Sequence, residues 1–222
     1  MSLFKSQKHV FWQALILALI IFNFGIFLGY MLESSRVGKV NRLYIESELV
    51  LLDVKIQSKL FDFDLTNLDC EDAIKENINF GDRIYEEAKI LDRYESASRI
   101  TESIKLQHKK YDLLRVLFWL NTLKIKKNCN PSFHNIVYFY KYNNATLTEK
   151  AKQAVFSRLL EDLKQKYGNK IMLIPIAGDN NLASVNLLMK NYNITHLPTI
   201  LIDEKVKITE IENVEEFDKY LK

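Results

Sequence analysis

The chain has 222 residues, 48% of them hydrophobic, enough to bury a core as one large domain or two small ones. Its 31 basic and 28 acidic side chains leave a formal charge of +3 with no dominant block, which removes the electrostatic ground for nucleic-acid binding. Six glycines, three prolines and no repeat or low-complexity tract speak against collagen-like and disordered classes.

The first element is "VFWQALILALIIFNFGIFLGYML", Val10 to Leu32, which carries no charged residue. As a helix it is long enough to cross about 30 Å of hydrocarbon. Trp12 and Tyr30 stand near its ends, where amphipathic rings favour the membrane interface. The rival reading is a cleavable signal peptide, but the apolar run exceeds the usual core of roughly 7 to 15 residues and no A-x-A-like site follows. The expectation is a transmembrane anchor over 10–32 behind a cytoplasmic tail over 1–9. Flanking charge is nearly balanced, Lys5 and Lys8 against Arg36, Lys39 and Arg42. The short tail and the cysteines place the body outside the cytoplasm.

Residues 33–130 read as a helical region. Ile45, Leu49, Leu52, Ile56 and Leu60 recur on one helix face, predicting a juxtamembrane helix, and "FDFDLTNLD" interrupts it with turn and cap formers. A second helix begins near Cys70 with the stripe Ile74, Ile78, Gly81, Ile84, Tyr85, Ala88 and Leu91. A third carries Ile100, Ile104, Tyr111, Leu114, Phe118 and Ile125. The two stripes predict an antiparallel hairpin with mutual core packing, and a residual stripe would serve oligomerisation.

Cys70 opens the second helix and Cys129 follows the third, so an antiparallel pair of similar lengths brings them together. A disulfide there would close nearly sixty residues and contribute roughly 4 kcal/mol by loop entropy. The alternatives are two unconnected buried thiols, or a metal site made by Cys70, Cys129 and His134 with a fourth ligand. Neither short paired metal spacings nor a cofactor motif is present, and no cofactor is expected.

From 131 to 222 the period changes. "IVYFYKY" predicts a buried strand, Thr146 or Thr148 caps a helix reaching about Lys166, and "NKIMLIPIAGD" is a second strand followed by the helix "NLASVNLLMKNYNI". "TILID" and "VKITEI" predict a hairpin around "EK", and "VEEFDKYLK" a closing helix. The order is βαβαββα. It favours a parallel first pair and an antiparallel extension, with Pro175 confining the second strand to an edge. The fold class is α/β: membrane helix, helical hairpin, then this sheet domain.

The segment "NYNITHLPTILID" resembles the thioredoxin-fold stretch in which a cis-proline followed by Thr opens the third strand. With the element order, the resemblance covers about residues 135–222. The whole layout, including "GDRIYEEAKILDRYE", resembles membrane-anchored thioredoxin-fold proteins of archaea. The resemblance implies that Pro198 is that cis-proline and that Leu197, Pro198 and Thr199 line an edge suited to an extended peptide. It also implies a thiol pair at the start of the first domain helix, yet the window Asn144 to Thr148 holds no cysteine. Thr146 and Thr148 are hydroxyls without an evident base, better suited to capping, although His196 lies two residues before Pro198. Asn144-Ala145-Thr146 and Asn193-Ile194-Thr195 match the N-glycosylation acceptor pattern, with unmodified turn asparagines as the plainer reading.

These readings converge on a membrane-anchored, redox-inactive binding or scaffold module with no catalytic residues, embedded in lipid through 10–32 and holding a protein partner at the cell envelope. Two alternatives stand beside it. One is a thiol-disulfide oxidoreductase using Cys70 and Cys129; the other is a structural subunit of a membrane complex, meeting its neighbours through Trp12, Tyr30 and the hairpin.

Overall fold

A computed structural model of the chain describes residues 7–60, 69–97, 102–210 and 215–221. The amino-terminal unit, Met1–Leu51, is formed by helix α1, which runs Gln7–Leu60 and ends in the second unit. Its stretch Val10–Glu33, with a mean hydropathy of 2.4, is long and apolar enough to cross a membrane. The large side chains there are all exposed.

The second unit, Leu52–Lys222, contains both hairpin helices and the sheet. Helices α2, Cys70–Ala97, and α3, Glu102–Cys129, are 28 residues each, and their equal lengths bring opposite ends level. Cys70 and Cys129 are joined by a disulfide with 5.5 Å between Cα atoms. The free-thiol and metal-ligand alternatives for these sulfurs are thereby set aside. The same antiparallel register recurs along the pair: Phe80 and Phe118 meet edge to face, and the Tyr111 hydroxyl donates to Glu87 at 3.0 Å. Gly81 is needed at this crossing, because a Cβ there would stand 2.8 Å from Phe118 Cζ.

The stripe of α2 differs from the one expected. Ala73, Asn77, Phe80 and Ile84 are buried, while Tyr85 is 48% exposed and Ile74, Ile78, Ala88 and Leu91 lie at the margin. Phe80 sets the rotation, since its ring seeks Phe118. On α3, Tyr111, Leu114, Phe118 and Ile125 are buried as expected and Ile104 is half-buried; Ile100 lies outside the described residues. Helix α3 also buries Val116 and Trp119, because it packs on the sheet as well as on α2. A helix apolar on several faces is covered on several faces.

Strand β1, His134–Tyr140, is buried from Asn135 to Phe139 and lies inside a four-stranded sheet. Next come α4, Leu147–Tyr167, a 3₁₀ turn over Gly168–Lys170, β2, Ile171–Ala177, and α5, Ala183–Asn191. Strands β3, Thr199–Ile202, and β4, Val206–Ile208, precede the short α6, Glu215–Asp218. The sheet order is β2-β1-β3-β4; β1 and β2 are parallel and the other pairs antiparallel. The expected order of elements, the parallel first pair and the edge position of Pro175 all hold. One face is covered by Phe156, Leu160 and Leu163 of α4 with Phe217 of α6. Edge strand β2 is closed at both ends: Lys164 Nζ donates to the Ile171 carbonyl at 3.2 Å, and Asp112 accepts from Ala177 N–H at 3.2 Å.

The last hairpin turns one residue earlier than "EK". Its centre is Asp203 and Glu204, with φ of 46° and 60°. Two left-handed residues without glycine cost about 1–3 kcal/mol each, so the turn needs support. Glu204 accepts from Trp119 Nε1 at 2.6 Å and from Asn135 Nδ2 at 3.0 Å. Asp203 binds Lys126, lies 2.6 Å from His134 Nδ1 and accepts from Asn135 N–H at 2.9 Å. Burial pushes the Asp203 carboxyl up, but the hydrogen bonds from Lys126, His134 and Asn135 together hold it below its ordinary value. Strand β4 is shorter than "VKITEI", ending at Ile208.

Candidate functional site

Parallel α/β pairs place ligand sites at the carboxyl ends of their strands. Here that end is built from the loop after β1, the loop after β2 and one face of α3. In the first loop Thr146 is the N-cap of α4 in a capping box: its hydroxyl accepts from Glu149 N–H at 3.2 Å, and Glu149 accepts from Thr146 N–H at 2.7 Å. The Thr146 N–H and the Lys141 ammonium hold the Glu149 carboxyl below its ordinary value. Lys141 Nζ stands 3.2 Å from both Glu149 oxygens, and Gln153 clasps the Lys141 peptide through its N–H and carbonyl. The turn is thereby fastened to the first two turns of α4.

Successive backbone N–H groups at such a turn make a concavity for an anion. The protein fills it with its own carboxylate: Asp179 accepts from Tyr142 N–H at 2.8 Å and from Asn143 N–H at 2.7 Å. The Asn143 side chain returns the contact, donating to Asn180 Oδ1 at 2.9 Å. Donors that a substrate anion would need are therefore already engaged.

Behind this turn lies a buried polar cluster around Asp112, whose side chain is inaccessible to solvent. One carboxylate oxygen accepts from Ala177 N–H at 3.2 Å and from Arg115 at 3.3 Å; the other accepts from Asn180 Nδ2 at 2.6 Å. His108, one helical turn earlier, is 7% exposed. Its Nδ1 is 3.3 Å from Asp112 and its Nε2 is 3.0 Å from the Tyr140 hydroxyl, while its ring stacks on Tyr142 at 3.8 Å. Asp, His and Tyr are aligned as a proton relay would be, but they are packed inside and tie α3 to the two strand ends. Every charge is matched, as burial demands.

The loop before β3 completes this end. The Leu197–Pro198 peptide bond is cis, and Leu197 approaches Gly178, where a Cβ would meet its Cδ1 at 3.0 Å. Leu197 is half-buried, Pro198 and Thr199 are buried, and Thr199 Oγ1 donates to the His196 carbonyl at 2.6 Å. Of the three residues expected to line this edge, only Leu197 keeps appreciable exposure. Among the described residues no hydrogen bond joins Thr146 or Thr148 to His196, which is exposed. Asn144 and Asn193 are both exposed, with φ of 50° and 53°.

His134 serves the turn at Asp203, and among the described residues no cluster of His, Cys, Asp and Glu is arranged to hold a metal. The His108, Asp112 and Asn180 cluster was not anticipated from the sequence. Its one local trace is the i, i+4 spacing of His108 and Asp112, which the surrounding Gln107, Lys109, Lys110 and Arg115 leave undistinguished in the sequence. No protein-family model matches the chain, and a search of curated proteins finds no match.

Proposed function

We propose that this chain is a membrane-anchored, redox-inactive thioredoxin-like protein, its body outside the cytoplasm, that binds or holds a protein partner at the cell envelope. The observation carrying this reading is the turn at residues 142–146. In a thioredoxin-like sheet it stands where a thiol pair would open the helix, and here Asp179 and the Thr146 capping box occupy it. The order of elements, the parallel β1–β2 pair and the cis bond at Pro198 support the fold assignment. The Cys70–Cys129 bridge supports an oxidising compartment, and with it the orientation of the anchor. A structural role suits these cysteines better than turnover, since they join the ends of two long helices and have no CxxC poise.

For the binding edge, β4 accompanies β3 only from Ile200 onward, so the backbone at Thr199 extends past the last paired strand. Thr199 itself is only 2% exposed, so a visiting extended segment would meet this edge through Leu197, the half-buried side chain beside it. The test is affinity capture from membranes with the wild-type chain and with Leu197→Asp. A protein enriched by the first and lost with the second supports the reading; identical retained sets overturn it.

A further inference from the structure

We propose that Asn77 and Asn121 pair with each other inside the α2–α3 hairpin and fix its register, and that this register is what delivers Cys70 to Cys129. Two helices packed along an apolar seam repeat every seven residues, so they can slide by one repeat with little loss of apolar contact. On α2 the seam is Ala73, Asn77, Phe80, Ile84 and Glu87, at intervals of four, three, four and three. On α3 it is Tyr111, Leu114, Phe118, Asn121 and Ile125, at three, four, three and four. The layers are anchored by Cys70 with Cys129, Phe80 with Phe118 and Glu87 with Tyr111. In the antiparallel register these contacts define, Asn77 lies opposite Asn121.

Both asparagines are enclosed, 4% and 1% exposed, among Ala73, Phe80, Ile84, Tyr111, Leu114, Phe118 and Ile125, which are all buried. Each holds a buried polar atom with no hydrogen-bond partner among the described residues, and the two are complementary: Nδ2 of Asn77 is a donor and Oδ1 of Asn121 an acceptor. Turning either amide toward the other serves both. A buried amide set against an apolar side chain has no such remedy, so this layer disfavours every other register. A slip of one repeat in one direction puts Asn77 against Leu114, and in the other it puts Asn121 against Ile84. The apolar layers do not discriminate, since Phe80 would then meet Tyr111 or Ile125. The same slip carries Cys70 about 10 Å along the axis from Cys129, beyond the roughly 7 Å between Cα atoms that a disulfide spans. Helix α2 is the one able to slide, because its main packing is on α3, whereas α3 is also held by the sheet and α5.

Thr122 stands one repeat before Cys129, so a chain carrying Thr122→Cys with Cys129→Ser can bridge to Cys70 only in a slipped register. The experiment unfolds and reduces this full-length chain in detergent, refolds it in a glutathione buffer and measures the bridge between Cys70 and position 122, with and without Asn77→Leu plus Asn121→Leu. The proposal expects the leucine pair to raise that bridge at least tenfold. Thermal melting of the otherwise wild-type chain supplies the second readout. Asn77→Leu or Asn121→Leu alone leaves the opposite amide facing an apolar side chain and should lower the melting temperature by about 3 °C or more. The double substitution should melt above both single ones, as expected of groups that act as a pair. A bridge yield unchanged by the leucine pair, or a double variant that melts below both single variants, overturns the proposal.

Discussion

Replacing Asp112 by alanine should cost about 4 kcal/mol of folding stability. The carboxylate is fully enclosed and faces Ala177 N–H, Asn180 Nδ2, Arg115 and His108, all within 3.3 Å. Removing one partner from a buried charged cluster typically costs about 3–5 kcal/mol, because the remaining groups lose their hydrogen bonds and cannot regain water. Arg115 is the most affected, its side chain being only 12% exposed. In a unit of this size each kcal/mol lowers the melting temperature by about 2–4 °C, so the expected fall is about 8–16 °C. Asp112→Asn is the sharper variant: it keeps the shape but sets a donor against Ala177 N–H, Arg115 or Asn180 Nδ2, and should cost about 2–4 kcal/mol. The assay is thermal melting followed by circular dichroism on the full chain in detergent. If both variants melt within about 2 °C of wild type, the cluster is not what fastens α3 to the strand ends.

Gly81→Ala places a methyl 2.8 Å from Phe118 Cζ, so the hairpin must shift; a loss of about 1–3 kcal/mol is expected in the same melts, and Phe118→Leu alongside should recover part of it. Thr146→Ala removes the N-cap acceptor of α4 and should cost about 1 kcal/mol, with Thr146→Ser close to neutral in urea unfolding. Acid unfolding reports on Asp203. Its carboxyl is held below the ordinary value in the folded state, so its contribution is complete above the ordinary carboxylate range and disappears as pH falls through the depressed value. Asp203→Asn should therefore be less stable than wild type at neutral pH, and the difference should shrink as pH falls below about 4; a constant difference down to pH 2 would contradict this.

Much of the architecture is legible from local pattern. Val10 to Leu32 declares itself by the absence of charge, and "IVYFYKY" and "NKIMLIPIA" by short apolar runs bounded by turn residues. Pro175 fixes an edge because it has no N–H to give a central ladder. The cysteines could be paired in advance because two helices of equal length bring their opposite ends level. What stayed hidden depends on tertiary neighbours. The buried face of α2 is not fixed by periodicity, which does not distinguish Ile74, Ile78 and Tyr85 from Ala73 and Phe80 without the partner ring of Phe118. The centre of the last turn, Asp203 and Glu204, is not legible because Glu204 has no preference for left-handed backbone, and side chains from α3 and β1 hold it there. The cluster at His108 and Asp112 joins residues about seventy positions apart, beyond the reach of any local spacing rule.

Cys70 and Cys129 form a disulfide, and the proposed redox-inactive role requires that this bridge is a stable structural one in the native protein. It is tested most directly by intact-mass analysis of the protein isolated from membranes under thiol-trapping conditions, alkylated before and after reduction. No alkyl group is expected before reduction and two after it, with the pair mapping to Cys70 and Cys129. Two alkyl groups before reduction would contradict it.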